Sequence, residues 1–369
     1  GNNFNTGKSQ ENTLINSKYK FDYEKDIIIK IINGKFDMEV INSINKNNKS
    51  IEMCCLKDIG NFKNHWSETK FGRAQFNAEK SYARPLALYN GSKAIDGLFI
   101  KFNKSMKNQI HIIYDGEEKN YSLLRNLFDI EENVEVKIVE HFYGNSKYNI
   151  VSEFFAGENS HFEHNKIINN GLNNSIIYHL FGNCKSFSNV KSINVSLSEN
   201  PTRNEINLFL DGVNCDATIA SLGFGNSDTS ICDNTFFISH QDESCKSRQI
   251  VKNALSNSAK AIFQGKIFVS SKAQKTDGYQ MSNGLILTDN CEFLVKPELE
   301  IYADDVVCSH GSISGTLNEE HLFYLQSRGI PLPEAQKKLI RAFFEEVVDE
   351  ISDQETANYI HSQISEMLT

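Results

Sequence analysis

Three short stretches of the 369-residue chain carry side chains that could do chemistry. In Cys308-Ser309-His310-Gly311 a thiol and an imidazole stand two residues apart, just after the acidic pair Asp304-Asp305. On a β-strand that spacing puts both groups on one face. A neighbouring imidazolium lowers a thiol's pKa, and the pair can bind soft or borderline metals. The same residues equally suit a buried cysteine beside a hydrogen-bonded histidine. His161-Phe162-Glu163-His164 also offers ligand atoms, but an i, i+3 pair on a strand does not share a face, so two surface or turn histidines are expected. His240, followed by Asp242, Glu243 and Cys245, reads as a metal cluster or catalytic dyad, or as ordinary strand-end polarity.

Other chemistries find no support in the spacing. Gly223-Phe224-Gly225 lacks the third glycine of a dinucleotide fold, and Gly265-Lys266 precedes a strand rather than a phosphate-binding helix. The eight cysteines are scattered without a CxxC pair, so neither a zinc ribbon nor a disulfide-stapled domain is expected. The adjacent Cys54-Cys55 sits in an apolar run and should pack as two small hydrophobes. A reducing compartment is the natural reading. Gly1 and the polar residues after it look like a trimmed or tagged start rather than a signal peptide. A net charge of -9 argues against nucleic acid, and no apolar run approaches the ~20 residues that cross a membrane.

The elements that must position these residues fall into three parts: 1–90, 91–314 and 315–369. Residues 1–20 are polar and expected to be frayed. The β-branched run from Asp26 to Phe36, broken by Asn33-Gly34, predicts a hairpin, and a helical pattern spans Asn64 to Leu88. From Ile95 to Leu317, runs of Val, Ile and Phe recur about every ten residues between Gly, Asn, Asp and Ser, the texture of an all-β domain. Asparagine at many turns suits left-handed backbone angles. Spacing alone leaves a parallel β-helix and a sandwich both open. The C-terminal part predicts three helices. Asn318 caps the first, Gly329 ends it, and Ala335, Leu339, Ile340, Phe343, Phe344, Val347, Val348 and Ile351 stripe the second. These helices could cover the mouth of the β domain or leave a groove for a partner.

The stretch from Lys296 to Gly311, continuing into Leu322–Ile330, resembles the C-terminal signature of the SufB/SufD family of iron–sulfur cluster assembly proteins, on its SufD side. Phe263-Gln264-Gly265-Lys266-Ile267, Ala273–Gln280 and the run from His240 through Gln249 are similar to the same family. The resemblance is dense from Arg203 to Ile351 and looser before. Gly278 departs from the alanine often found there, and the N-terminal helical region looks short.

This resemblance implies a mainly β fold, a right-handed parallel β-helix with a small N-terminal α+β part and a C-terminal helical domain. It implies a non-enzymatic scaffold that pairs with a SufB-like subunit and binds a SufC-like ABC ATPase. A nascent iron–sulfur cluster would be held transiently and shared with the SufB-like subunit, with nothing bound tightly to the chain alone. His310 would face that cluster, as a transient iron ligand at the subunit interface, with Cys308 a weaker candidate. Leu322, Phe323, Leu325, Phe343 and Phe344 would divide between core packing and the ATPase-binding surface. Alone, the chain would form a homodimer through its open coil end. The rival readings are a SufB-type paralogue, a metal-storage protein and a β-helix carbohydrate-active enzyme. The last would need clustered carboxylates that the sequence does not display.

Overall fold

The computed structural model describes residues 19–22, 24–61, 64–79, 83–116, 121–145, 147–169 and 174–368. The expectation for residues 1–20 falls almost wholly outside them. The N-terminal part runs β1 (Ile27–Ile32), β2 (Lys35–Phe36), α1 (Met38–Asn47), β3 (Ile51–Cys55), α2 (Arg73–Glu79) and α3 (Pro85–Lys93). Strands β4 (Leu98–Phe102), β5 (Ile110–Asp115), β6 (Tyr121–Ile130), β7 (Glu135–Phe142), β8 (Lys147–Ala156) and β9 (His161–Ile168) follow. Next come β10 (Ser175–Cys184), β11 (Asn189–Ser196), β12 (Thr202–Leu210), β13 (Asp216–Gly225) and β14 (Ile231–His240). The solenoid ends with β15 (Lys246–Leu255), β16 (Lys260–Val269), β17 (Thr276–Ile286), β18 (Glu292–Ile301) and β19 (Val306–Gly315). Helices α4 (Glu319–Ser327), α5 (Leu332–Val348) and α6 (Gln354–Met367) close the chain.

From β4 onward the strands alternate between two sheets. Odd-numbered strands β5 to β19 stack in order in one, even-numbered strands β4 to β18 in the other, and every successive pair is parallel. This is a parallel β-helix, which decides against the sandwich. The N-terminal strands extend the same sheets: β1 pairs parallel with β5, and β3 pairs antiparallel with β4. The Asn33-Gly34 hairpin forms as expected, both residues at positive φ (51° and 73°), as a type I′ turn requires.

One corner of the solenoid repeats with each coil. Asn133, Asn159, Phe187, Asn214, Ser244 and Lys275 all take positive φ. Each N–H donates to a carbonyl of the next coil, on Glu158, Ser186, Val213, Glu243, Gln274 and Asp305 respectively. The corner thus satisfies its own backbone groups by stacking, and asparagine fills it where the left-handed angle is cheapest.

Between the sheets lies the main core, in which the Tyr114 and Phe142 rings stack with centroids 4.6 Å apart. It also holds buried polar groups. Tyr114 donates to Glu140 at 2.7 Å, and His164 meets the other Glu140 oxygen at 2.9 Å. Burial pushes the Glu140 carboxyl up, but the bonds from His164, Tyr178 and Tyr114 outweigh it and hold the pKa below its usual range. Burial brings the Lys166 amine down to about 7, while its Nζ donates to Asn204 at 2.6 Å.

The outer faces are covered differently. Outward residues of the odd sheet are apolar (Ile193, Val195, Leu222, Phe224, Ile250), and α5 and α6 lay Ile340, Phe344, Val347, Ile360 and Ile364 on them. Helices α5 and α6 therefore sit on the flank of the solenoid rather than over its mouth, because that flank is the apolar surface needing cover. The even sheet is clasped by ionic contacts instead: Arg84 pairs with Glu205 and donates to Asn207 at 2.6 Å, and Lys70 pairs with Asp129. The helical pattern from Asn64 to Leu88 forms as separate short helices, since Gly72 takes φ +77° and Pro85 starts α3 afresh.

Candidate functional site

The site is the last coil, β18 and β19. Each is ten residues long and, among the described residues, pairs on one side only, with β16 and β17. The turn before β19 is set by the coil beneath it, where Lys275 N–H donates to the Asp305 carbonyl and Asp305 N–H to the Gln274 amide oxygen at 2.9 Å. Two apolar side chains of β19, Val307 and Ile313, are 73% and 60% exposed.

Alternation along β19 puts Cys308 and His310 on one face, the one continuous with the solenoid interior, since their in-register neighbours on β17 are Gly278 and the wholly buried Gln280. Cys308 is half-buried against Ile267, Val269, Ala273 and Ala303. Its thiol is pushed up by burial and by the Asp277 charge, against a bond from the Gly278 backbone. His310 is exposed. Among the described residues no group of three or more His, Cys, Asp or Glu side chains could hold a metal ion. Cys308 and His310 bring two donor types to this edge.

The histidines elsewhere have other work. His161 is exposed and His164 buried, so the pair is split across the sheet as the spacing required. The expectation of two surface histidines fails for His164, whose ring is held by Glu140 in the core. His240 is wholly buried, with Nε2 2.8 Å from the Ser247 hydroxyl. Beside it, Cys215 and Cys245 stand on adjacent coils, and the hydrogen bond between the two thiols favours Cys245 as the more acidic. All eight cysteines are free, and Cys54 and Cys55 are buried as expected.

Of the proposed helical contacts, Phe344 is wholly buried against the flank, and Phe343 packs beside it with Lys252 over its ring. Phe344 thus belongs to the core and presents no surface. Leu322 and Leu325 on α4 are half-buried, while Phe323 is 74% exposed and Tyr324 beside it 57%. The cap and stop of α4 form as expected: Asn318 Oδ1 accepts from His321 N–H at 2.9 Å, and Gly329 takes φ +83°. Tyr324 and Gln280 escaped the sequence reading. Tyr324 lies next to a selected residue, but only the register of β17 and β19 reveals Gln280.

Comparison with known proteins agrees with this architecture. A family profile described as "SUF system FeS cluster assembly, SufBD core domain" matches residues 112–343, well over half of the chain. The chain is 32% identical over 264 residues to the iron-sulfur cluster assembly protein SufD of Escherichia coli, covering 69% of the chain and 60% of that protein. It is 28% identical over 246 residues to protein ABCI7, chloroplastic, of Arabidopsis thaliana (65% and 51%). Against SufD of Bacillus subtilis the identity is 25% over 276 residues (72% and 61%). The chain thus spans about half to three fifths of the length of these relatives. A parallel β-helix with flanking helices, and a profile match spanning nearly all its coils, make this chain a SufD-like member of the SufBD family of SUF-system iron–sulfur cluster assembly proteins.

Proposed function

We propose that the chain is a non-enzymatic scaffold subunit of an iron–sulfur assembly complex, built to share its last coil with a SufB-type subunit. The supporting observation is that coil: two full-length strands whose outer edges have no partner among the described residues, exposed apolar side chains and a histidine on the open face. Such an edge is a template for pairing with another chain. Iron in clusters is held mainly by thiolates, and imidazole can replace thiolate on one iron. His310 contributes one ligand to the nascent cluster, and the SufB-type subunit supplies the rest. An incomplete ligand set on each side makes the cluster labile, which suits a scaffold that must release its product.

A SufC-type ATPase docks on the α4 face through Phe323 and Tyr324, with Leu322 and Leu325 supporting them. Phe343 and Phe344 act only by fixing α5 to the flank. Closure of that ATPase would move α4 relative to the seam, a rigid-body change of interface. Without a SufB-type partner, a second copy covers the edge and gives a homodimer. The eight free thiols fit a reducing compartment, the cytoplasm or a plastid stroma.

Co-elution on size exclusion with SufB-type and SufC-type subunits tests the reading, together with His310→Ala. The variant should keep the complex and lower the iron and sulfide retained by it. Unchanged iron content and visible spectrum would remove His310 from the site, and failure to co-elute would remove the scaffold role.

A further inference from the structure

Gln280 is wholly buried, yet among the described residues neither its amide oxygen nor its amide nitrogen has a hydrogen-bond partner. An amide shut away from water with both ends unpaired is unfavourable, so such groups call for a partner. The fold makes deliberate room for this one. A Cβ at Gly265, on the facing sheet, would stand 2.1 Å from Gln280 Nε2, so the amide in this position fills space that the glycine leaves open. One coil further in, Gln249 occupies the in-register position, and its Nε2 already donates to the Lys266 carbonyl at 3.2 Å. One coil further out, the in-register residue on the same face is His310. In-register residues on neighbouring strands lie about 4.8 Å apart, within reach of a glutamine side chain.

We propose that Gln280 is a positioning residue for His310. Its amide oxygen accepts the N–H of the imidazole nitrogen that faces the solenoid interior. This fixes the ring orientation and the tautomer, and leaves the outward nitrogen with a free lone pair for iron. Histidines that bind metals typically have their second nitrogen held in this way by a neighbouring acceptor. The proposal rests on the reading of His310 as an iron ligand.

The test uses Gln280→Glu and Gln280→Met. The first keeps an acceptor and adds charge, and the second keeps the volume without any hydrogen bond. On the chain alone, the pH dependence of His310 modification by diethyl pyrocarbonate, followed by mass spectrometry, reports the imidazole directly. A carboxylate at hydrogen-bond distance should raise the midpoint by about one pH unit, and the methionine should lower it. Identical midpoints in all three proteins would show that the amide does not reach the ring and would overturn the proposal. Should Gln280→Glu not fold, the methionine variant carries the same comparison. In the complex with SufB-type and SufC-type subunits, supplied with ferrous iron and sulfide, Gln280→Met should cut cluster formation about tenfold without loss of assembly. A shifted midpoint with undiminished cluster formation overturns the positioning role. A silent His310→Ala in the same assay overturns the iron-ligand reading, and the positioning role with it, while leaving the midpoint result as evidence of contact alone.

Discussion

The two ends of this solenoid meet the same physical problem with opposite solutions. At the first coil, β2 is only two residues long, β3 turns antiparallel, and α1 lays Met38, Ile41 and Ile44 over the exposed interior. Asp37 caps that helix, accepting from the Glu39 and Val40 N–H groups. At the last coil, two ten-residue strands end without cover from any described residue, and their inward side chains (Phe293, Val295, Leu299, Val306, Cys308) are only partly buried. A long, flat edge invites association unless it is blunted, and only one end here is blunted. The difference assigns roles: the capped end secures the fold, and the open end keeps its backbone groups available.

Substitution should separate these roles. The largest effect is expected from Ile41→Ala, which opens a cavity under the cap and should cost about 2–5 kcal/mol in denaturant unfolding. A loss below about 1 kcal/mol would mean that α1 does not close the core. At the other end, Val307→Lys with Ile313→Lys should leave the stability of the isolated chain within about 0.5 kcal/mol. The same pair should weaken association at that edge about tenfold, near 1.4 kcal/mol, by titration calorimetry or by a dimer-to-monomer shift in light scattering. Unaltered association would place the interface elsewhere.

Acid should also discriminate between the ends. His141 lies buried near the capped end, its Nε2 3.0 Å from His111 Nδ1, with Asp26 against the far side of His111 and Tyr19, Phe21, Tyr143 and Tyr359 packed around the pair. Burial, then the neighbouring His111, holds His141 well below its ordinary value of 6.5. A depressed folded pKa means that the unfolded chain takes up the proton first. The contribution is therefore complete above pH 6.5 and is lost as pH falls, by about 1.4 kcal/mol per pH unit until the folded pKa is reached. Hydrogen exchange at pH 5.5 should quicken in β5, β7 and α6 before β17 and β19, and His141→Asn should flatten the slope. The smallest effect is expected from Cys308→Ser. It should change stability by no more than about 1 kcal/mol, because the site is half open, and should lower cluster formation less than His310→Ala does.

Local signals were legible wherever the physics is local. The Asn33-Gly34 turn, the Asn318 cap, the Gly329 stop and the apolar stripe of α5 all depend on neighbours a few residues apart. The separation of His161 from His164 followed from the period of a strand. The stacked corner was legible only in its asparagines, since Phe187, Ser244 and Lys275 occupy equivalent positions and the hydrogen bonds run between coils. Placing α5 and α6 on the flank required knowing that alternate residues of β11, β13 and β15 are apolar on the outside too. In such strands both faces are buried, so the two-residue alternation that marks an outer face disappears.

By itself the sequence determined the kinds of elements, the β texture of the middle, the family and the one Cys-Ser-His string worth testing. Only the tertiary structure decided that α5 and α6 cover the flank, that Phe344 is core while Phe323 is surface, and that Gln280 stands next to His310. The reason is range: turns, caps and stripes are set by contacts within a few residues. A solenoid's neighbours lie a whole coil apart, at a distance along the chain that no local pattern encodes.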